Sequence, residues 1–165
     1  MLVGLISDTH DAIPLIQVAV KELNRRKVTL VLHAGDFVAP FVVRELQKLD
    51  APFLGVFGNN DGDHELLKKR VAEKKDCMIR DTFATTSFGG ATMAVLHGTE
   101  RELLDALVRG EIFDLVLYGH THRKEIARRG ITLLVNPGEV CGYLTGDPTM
   151  AVFDTETREA ELIDL

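Results

Sequence analysis

Only two cysteines occur in these 165 residues, Cys77 and Cys141. They are too few for a disulfide framework and fit no metal-ligand spacing, so both read as small hydrophobes, with Cys141 in a loop near the candidate site. No apolar segment approaches membrane-spanning length, and strand-like sequence begins at once, with no charged stretch ahead of an apolar one. The expectation is a cytoplasmic protein with no membrane partner. Long basic tracts are missing too: the formal charge is −6, and Arg25-Arg26-Lys27, Lys68-Lys69-Arg70 and Arg128-Arg129 are short and scattered, as solvated surface is. A stable nucleic-acid partner is therefore not expected, although nucleic acid stays open as a substrate. Repeats, linkers and low-complexity tracts are absent as well. The 45% hydrophobic content and the length imply one domain over residues 1–165 with a sizeable core.

The rest of the chain is organised around its first ten residues. Leu2, Val3, Leu5 and Ile6 form a short apolar run that reads as a buried strand and stops at Ser7-Asp8-Thr9-His10. On extended backbone, Asp8 and His10 would project from the same side and converge on one point. A carboxylate and an imidazole so placed suit a divalent metal. By itself this is a weak signal, and its strength comes from recurrence along the chain.

Ile16, Val20 and Leu23 keep helical spacing and close near Arg26, and Val28 to Leu32 then form a strand running into His33-Ala34-Gly35-Asp36. Pro40 opens a second helix through Val42, Leu46 and Leu49. Phe53 to Phe57 form a third strand ending in Gly58-Asn59-Asn60-Asp61. Strand, helix, strand, helix, strand implies a parallel sheet with right-handed crossovers. His64 to Lys75 reads as a charged surface helix. Thr82 to Leu96 reads as a hairpin around Gly89-Gly90, ending in His97-Gly98. Thr99 and Glu102 form a capping box for a helix with apolar Leu103, Leu104, Leu107 and Val108, stopped by Gly110. Leu115 to Tyr118 form a strand ending in Gly119-His120-Thr121-His122. A hairpin around Arg129-Gly130 ends in Asn136-Pro137-Gly138, and Thr149–Phe153 with Glu159–Ile163 close the chain as a last hairpin.

Five apolar runs thus end in metal-competent residues: Asp8 and His10, Asp36, Asn59, His97, then His120 and His122. In α/β sheets, sites gather at the carboxyl ends of strands, which would bring these residues together. Seven ligands exceed the needs of one small cation and suit two, with Asp36 shared between them. Mixed imidazole and carboxylate donors favour manganese, iron, cobalt, nickel or zinc over magnesium alone. Two dications against the carboxylates of Asp8 and Asp36 leave the site cationic in an acidic chain, so anions such as phosphate esters are its natural guests.

Asp8-Thr9-His10, Gly35-Asp36, Gly58-Asn59-Asn60-Asp61, His97-Gly98 and Gly119-His120-Thr121-His122 together resemble the five motifs of the calcineurin-like metallophosphoesterases. Asn136-Pro137-Gly138 and the length are similar to the small archaeal and bacterial phosphodiesterases of that family. The resemblance implies a four-layer α-β-β-α sandwich of two mixed β-sheets flanked by helices. It also implies two divalent transition-metal ions, one held by Asp8, His10, Asp36 and His122, the other by Asp36, Asn59, His97 and His120. A hydroxide between them would attack a small phosphodiester in line.

One position departs from the family. Many relatives carry histidine directly after the motif asparagine, touching the substrate and assisting the leaving group, and here that place is Asn60. An amide donates a hydrogen bond but transfers no proton. Asp61 and His64 are the nearby replacements, Asp61 reading better as a residue that orients a ligand and His64 as surface; His33 reads as structural. A rival reading is a protein-interaction scaffold like the retromer subunit of this fold, in which ligand positions are degraded; here every ligand type is intact. A protein serine/threonine phosphatase would carry Asp-Arg-Gly after Gly35-Asp36, where this chain has Phe37-Val38-Ala39-Pro40. Phe37, Phe41 and Tyr143 suit a substrate pocket, an interface or the core, and a homo-oligomer is compatible with all of this.

Overall fold

Period-two alternation along the strands decides how the chain layers. The computed structural model describes residues 1–165. In chain order the elements are β1 (Leu2–Ile6), α1 (Ile13–Arg25), β2 (Leu30–His33), a 3-10 turn (Pro40–Val42) running into α2 (Val43–Leu46), β3 (Phe53–Gly55), α3 (His64–Ala72) and β4 (Cys77–Ile79). There follow β5 (Phe83–Phe88), β6 (Ala91–Leu96), α4 (Arg101–Gly110), β7 (Leu115–Leu117), β8 (Glu125–Arg129), β9 (Thr132–Asn136), β10 (Thr149–Asp154) and β11 (Glu159–Asp164).

The first sheet has the order β11-β10-β1-β2-β3-β4 and the second β5-β6-β7-β9-β8. Both are mixed: β1 to β4 run parallel with β10 antiparallel to β1, and β6, β7 and β9 run parallel between antiparallel β5 and β8. Val3, Leu5, Leu30 and Leu32 of the first sheet meet Met93, Val95, Leu115, Leu117, Leu133 and Val135 of the second in a core between the sheets. The alternate residues Ile6 and Val31 turn outward to pack with Ile16, Val20 and Leu23 of α1, Val43 and Leu46 of α2, and Leu67 and Val71 of α3. On the other side Ala94, Leu96, Val116 and Leu134 pack with Leu104 of α4. The expected four-layer sandwich of two mixed sheets is the observed architecture.

Local departures have identifiable causes. The second helix is only one turn long, because after Leu46 the bonds tighten to i→i−3, from the Lys48 N–H to Glu45 and from the Leu49 N–H to Leu46. Leu49 is buried all the same. The capping box does not form: the Thr99 hydroxyl donates to the Glu100 carboxylate at 3.0 Å, and no side chain caps α4. Gly110 lies inside the last turn, and Glu111 takes the left-handed position at φ +48°. Its carboxylate accepts the Ile131 N–H of the β8–β9 turn, which gives a non-glycine residue a reason to sit there. Leu103 is exposed rather than part of the apolar face. β4 is an additional three-residue edge strand, too short for alternation to announce it.

Candidate metal centre

β1 stops at Ile6, so Asp8 and His10 do not leave extended backbone as their spacing suggested. They lie in the following loop at φ +52° and +40°, and Asp36, His120 and His122 are left-handed as well, at +63°, +67° and +58°. Such a backbone costs a non-glycine residue of order 1–3 kcal/mol, and five of the seven expected ligands carry it. What holds these turns is a lattice of loop bonds. The Asp8 N–H donates to Gly35 O at 3.0 Å and the His10 N–H to Asp36 O at 3.1 Å, while the Gly119 N–H donates to His97 O at 3.0 Å. Glycine is required where loops and carboxylates meet: a Cβ on Gly58 would overlap Asp36 Oδ1, and one on Gly119 would overlap Ser7 Oγ and Asp8 Oδ2.

Donor atoms of Asp8, His10, Asp36 and His122 all lie within 4.8 Å of one another. Two buried atoms there, Asp8 Oδ1 and His10 Nε2, have no hydrogen-bond partner. The tautomers sharpen the point. His122 Nδ1 faces the Glu139 carboxylate at 2.5 Å, which only accepts, so the proton sits on Nδ1. Its Nε2 lone pair therefore faces Asp8 Oδ1 at 3.3 Å. His97 repeats the arrangement: Nδ1–H donates to Ala34 O at 2.7 Å, and Nε2 faces Asn59 Oδ1 at 3.0 Å and Asp36 Oδ2 at 3.4 Å. Lone pairs aimed at carboxylate and amide oxygens repel unless a proton or a metal cation lies between them. Donors about 2.1 Å from a tetrahedral ion sit about 3.4 Å apart, the spacing seen here. His120 is exposed, its ring centroid 5.1 Å from that of His97, and its N–H donates to Asp8 Oδ2 at 3.1 Å.

The electrostatics show the same appetite for positive charge. The neighbouring Asp36 carboxylate, and then Asp8, push His10 up to about 10, so this spot between the two acids favours positive charge. Burial disfavours the Asp36 anion, but His10 and His97 outweigh it and hold the carboxyl well below its usual range. His120, by contrast, is lowered by the partial desolvation of its ring and by repulsion from His97.

Two carboxylates brace the site without facing it. Asp61, expected to orient a ligand, accepts four backbone N–H groups: Asp36 at 3.1 Å, Phe37 at 2.6 Å, Val38 at 2.8 Å and Gly58 at 2.7 Å. It thereby clamps the Asp36 loop to the Asn59 loop and holds Val38, a β-branched residue, at φ +77°. Asp61→Ala strands those donors and lowers the unfolding free energy by about 3 kcal/mol in urea titration; a loss under about 1 kcal/mol would show that the clamp is dispensable. Glu139 was not anticipated from sequence. It is fully buried, and besides His122 it accepts from the Leu144 and Thr145 N–H groups and the Thr145 hydroxyl. Burial pushes its carboxyl up, but these bonds, led by His122, bring it down to about 2. Glu139→Gln removes the charge that fixes the His122 tautomer and weakens manganese binding about 10- to 100-fold by calorimetry; unchanged affinity would contradict that role. The only hint in the sequence was that Glu139 follows Asn136-Pro137-Gly138.

The remaining candidates separate cleanly. Asn60 is exposed at the rim, its amide donating to Asp36 Oδ2 at 2.7 Å and its N–H to Asp36 Oδ1 at 2.9 Å. His64 is exposed and stacks on buried Phe57 with centroids 3.8 Å apart. His33 is buried, accepts the Gly35 N–H on Nδ1 and donates from Nε2 to Thr9, and burial lowers it to about 3, as a structural histidine requires. Phe37 stacks on it in the core, while Phe41 and Tyr143 are exposed, Tyr143 with its ring 6.4 Å from His10. The Cys141 thiol lies close to His10 and His122, yet it donates to Glu139 at 3.2 Å, and burial pushes it up to about 12.

Comparison with known proteins agrees with this geometry. The calcineurin-like phosphoesterase superfamily domain matches residues 1–158. Phosphodiesterase MJ0936 of Methanocaldococcus jannaschii is 38% identical over 159 residues, 96% of each chain. A solved structure described as a novel archaeal phosphodiesterase superposes with a TM-score of 0.96 at 37% identity, covering all of both chains. Zinc-bound Vps29 of Entamoeba histolytica shares the fold, with a TM-score of 0.72 over 99% of each chain at 22% identity. Motifs, layers and near-full-length similarity agree, and the chain belongs to the calcineurin-like phosphoesterase superfamily.

Proposed function

We propose that this chain is a metal-dependent phosphodiesterase with two metal ions. The observation that carries the reading is Asp36 Oδ2, which lies 3.2 Å from His10 Nε2 on one side and 3.4 Å from His97 Nε2 on the other. One oxygen facing two imidazole nitrogens is what a shared ligand requires. Asp8, His10, Asp36 and His122 would hold one ion, and Asp36, Asn59, His97 and His120 the other, with manganese, nickel, cobalt, iron or zinc suited to the donors. Such ions, when bound, neutralise phosphoryl charge and lower the pKa of an attacking water.

The chain's own groups prepare the centre. Glu139 and the Ala34 carbonyl keep the protons of His122 and His97 on Nδ1, leaving Nε2 free. The Ser7 hydroxyl, at 2.5 Å, and the His120 N–H occupy Asp8 Oδ2, so that Oδ1 alone faces inward. Exposed Asn59, Asn60 and His120 leave the centre open to a small diester, and the Asn60 amide can orient a phosphoryl oxygen but cannot protonate a leaving group. No helix is long and apolar enough to cross a membrane, and two buried, unpaired thiols support a reducing, cytoplasmic setting. The scaffold reading is weaker because all seven ligand types are present.

A screen of diesters, monoesters and cyclic nucleotides against several divalent metals tests the proposal. Aryl diesters should turn over faster than monoesters, and chelation should abolish the activity. Failure to cleave any ester with any metal would favour the scaffold.

A further inference from the structure

Behind the loop that carries His120 and His122, α4 and β8 leave an open groove of about 940 Å³ on the outer face of the second sheet. Arg101 and Arg109 of α4 line it, with Arg123 and Arg129 from the chain that follows β7. All four are exposed. Arg25, Arg26, Arg70, Arg128 and Arg158 each pair with a carboxylate within 4.0 Å, but none of these four does. The acids in the groove are Asp105 and Glu125, and Glu125 already accepts the Tyr118 hydroxyl. Lys124 is taken up by Asp147 at 2.6 Å. On a chain of net charge −6 this face is locally positive.

The arrangement is linear. Eight helical steps put about 12 Å between the Cα atoms of Arg101 and Arg109, so the charges form a track rather than a single anion pocket. The near end reaches the metal loops, since Thr121 lines it between His120 and His122, and Arg101 lies just after the His97 loop. Guanidinium groups bind phosphate in a fork, and a row of them matches a chain of phosphates.

We propose that this groove binds the sugar-phosphate backbone of a single-stranded oligonucleotide, the distal part of a substrate whose scissile diester lies at the metal centre. The proposal rests on the phosphodiesterase reading and specifies its substrate class. Recognition is by backbone charge and therefore independent of sequence.

The test uses a fluorescein-labelled single-stranded octanucleotide, followed by fluorescence anisotropy in chelator so that the metal centre does not contribute. Wild type should bind, and bind less tightly as salt rises. The double reversal Arg109→Glu with Arg129→Glu, far from the metal loops, should weaken binding at least about tenfold. It should also flatten the logarithmic salt slope by roughly 1.4, two contacts at about 0.7 each. With metal restored, the variant should show a raised KM for the octanucleotide and unchanged kcat/KM for a small aryl diester, which also establishes that it folds. Equal affinity in both proteins, or no binding by wild type, overturns the proposal. Binding of inorganic polyphosphate but not of the octanucleotide overturns the nucleic-acid assignment. Small-diester turnover is read separately, so an active enzyme that ignores the octanucleotide sinks the groove and leaves the catalytic reading standing.

Discussion

Asp36→Asn should lower kcat on an aryl phosphodiester by roughly a thousandfold or more with metal in excess, and Asn59→Ala by far less. The difference follows from position. Asp36 is buried, faces both His10 and His97, and is held from behind by the Asp61 clamp on its backbone. Asn59 is exposed, and its amide oxygen meets His97 alone. The amide introduced by Asp36→Asn would set an N–H₂ group against the imidazole nitrogens meant for metal and remove the charge that would offset the two proposed dications. Metal assistance is worth several kcal/mol, and each 1.4 kcal/mol is a factor of ten. Steady-state kinetics on both variants with excess manganese measures the gap. Wild-type activity in Asp36→Asn would show that the shared-ligand assignment is wrong.

The second large effect concerns Asn60. Expelling an alkoxide needs a proton from somewhere, and a positioned acid is worth typically about 10²- to 10⁴-fold. The amide cannot supply one, and the two nearest substitutes are spoken for: Asp61 accepts four backbone N–H groups, and His64 lies flat on Phe57. Diesters with electron-withdrawing aryl leaving groups should therefore turn over well and simple alkyl diesters poorly, with the rate falling steeply as leaving-group basicity rises. Asn60→His should flatten that dependence, helping the poorest leaving groups most. A series of diesters assayed on both proteins at fixed metal and pH measures the slopes. If wild type already gives a flat series, a proton donor other than this position is at work.

The layers were legible in the sequence because strand alternation is a physical requirement of facing two cores at once: Val3 and Leu5 turn one way, Ile6 the other. The candidate ligand positions were picked out in the sequence because each stands at the end of an apolar run. How they converge was not. The left-handed turns at Asp8, His10, Asp36, His120 and His122 come from contacts between loops far apart in the chain, which local pattern does not encode. Glu139 was missed for the same reason, since its bond to His122 spans 17 residues and two strands. The capping box at Thr99 failed because a hydroxyl beside Glu100 found that carboxylate instead of the helix end. The basic groove was invisible because Arg101, Arg109, Arg123 and Arg129 are dispersed in sequence and gathered only by the packing of α4 beside β8.

Two ions in one site, with Asp36 between them, is a stoichiometry that can be counted. Metal content by mass spectrometry, after loading with manganese or nickel and removing free ion, tests it most directly. Saturation at two ions per chain, falling in Asp36→Asn, is the expected result; saturation at one, or no retained metal, would rule out a shared two-ion site.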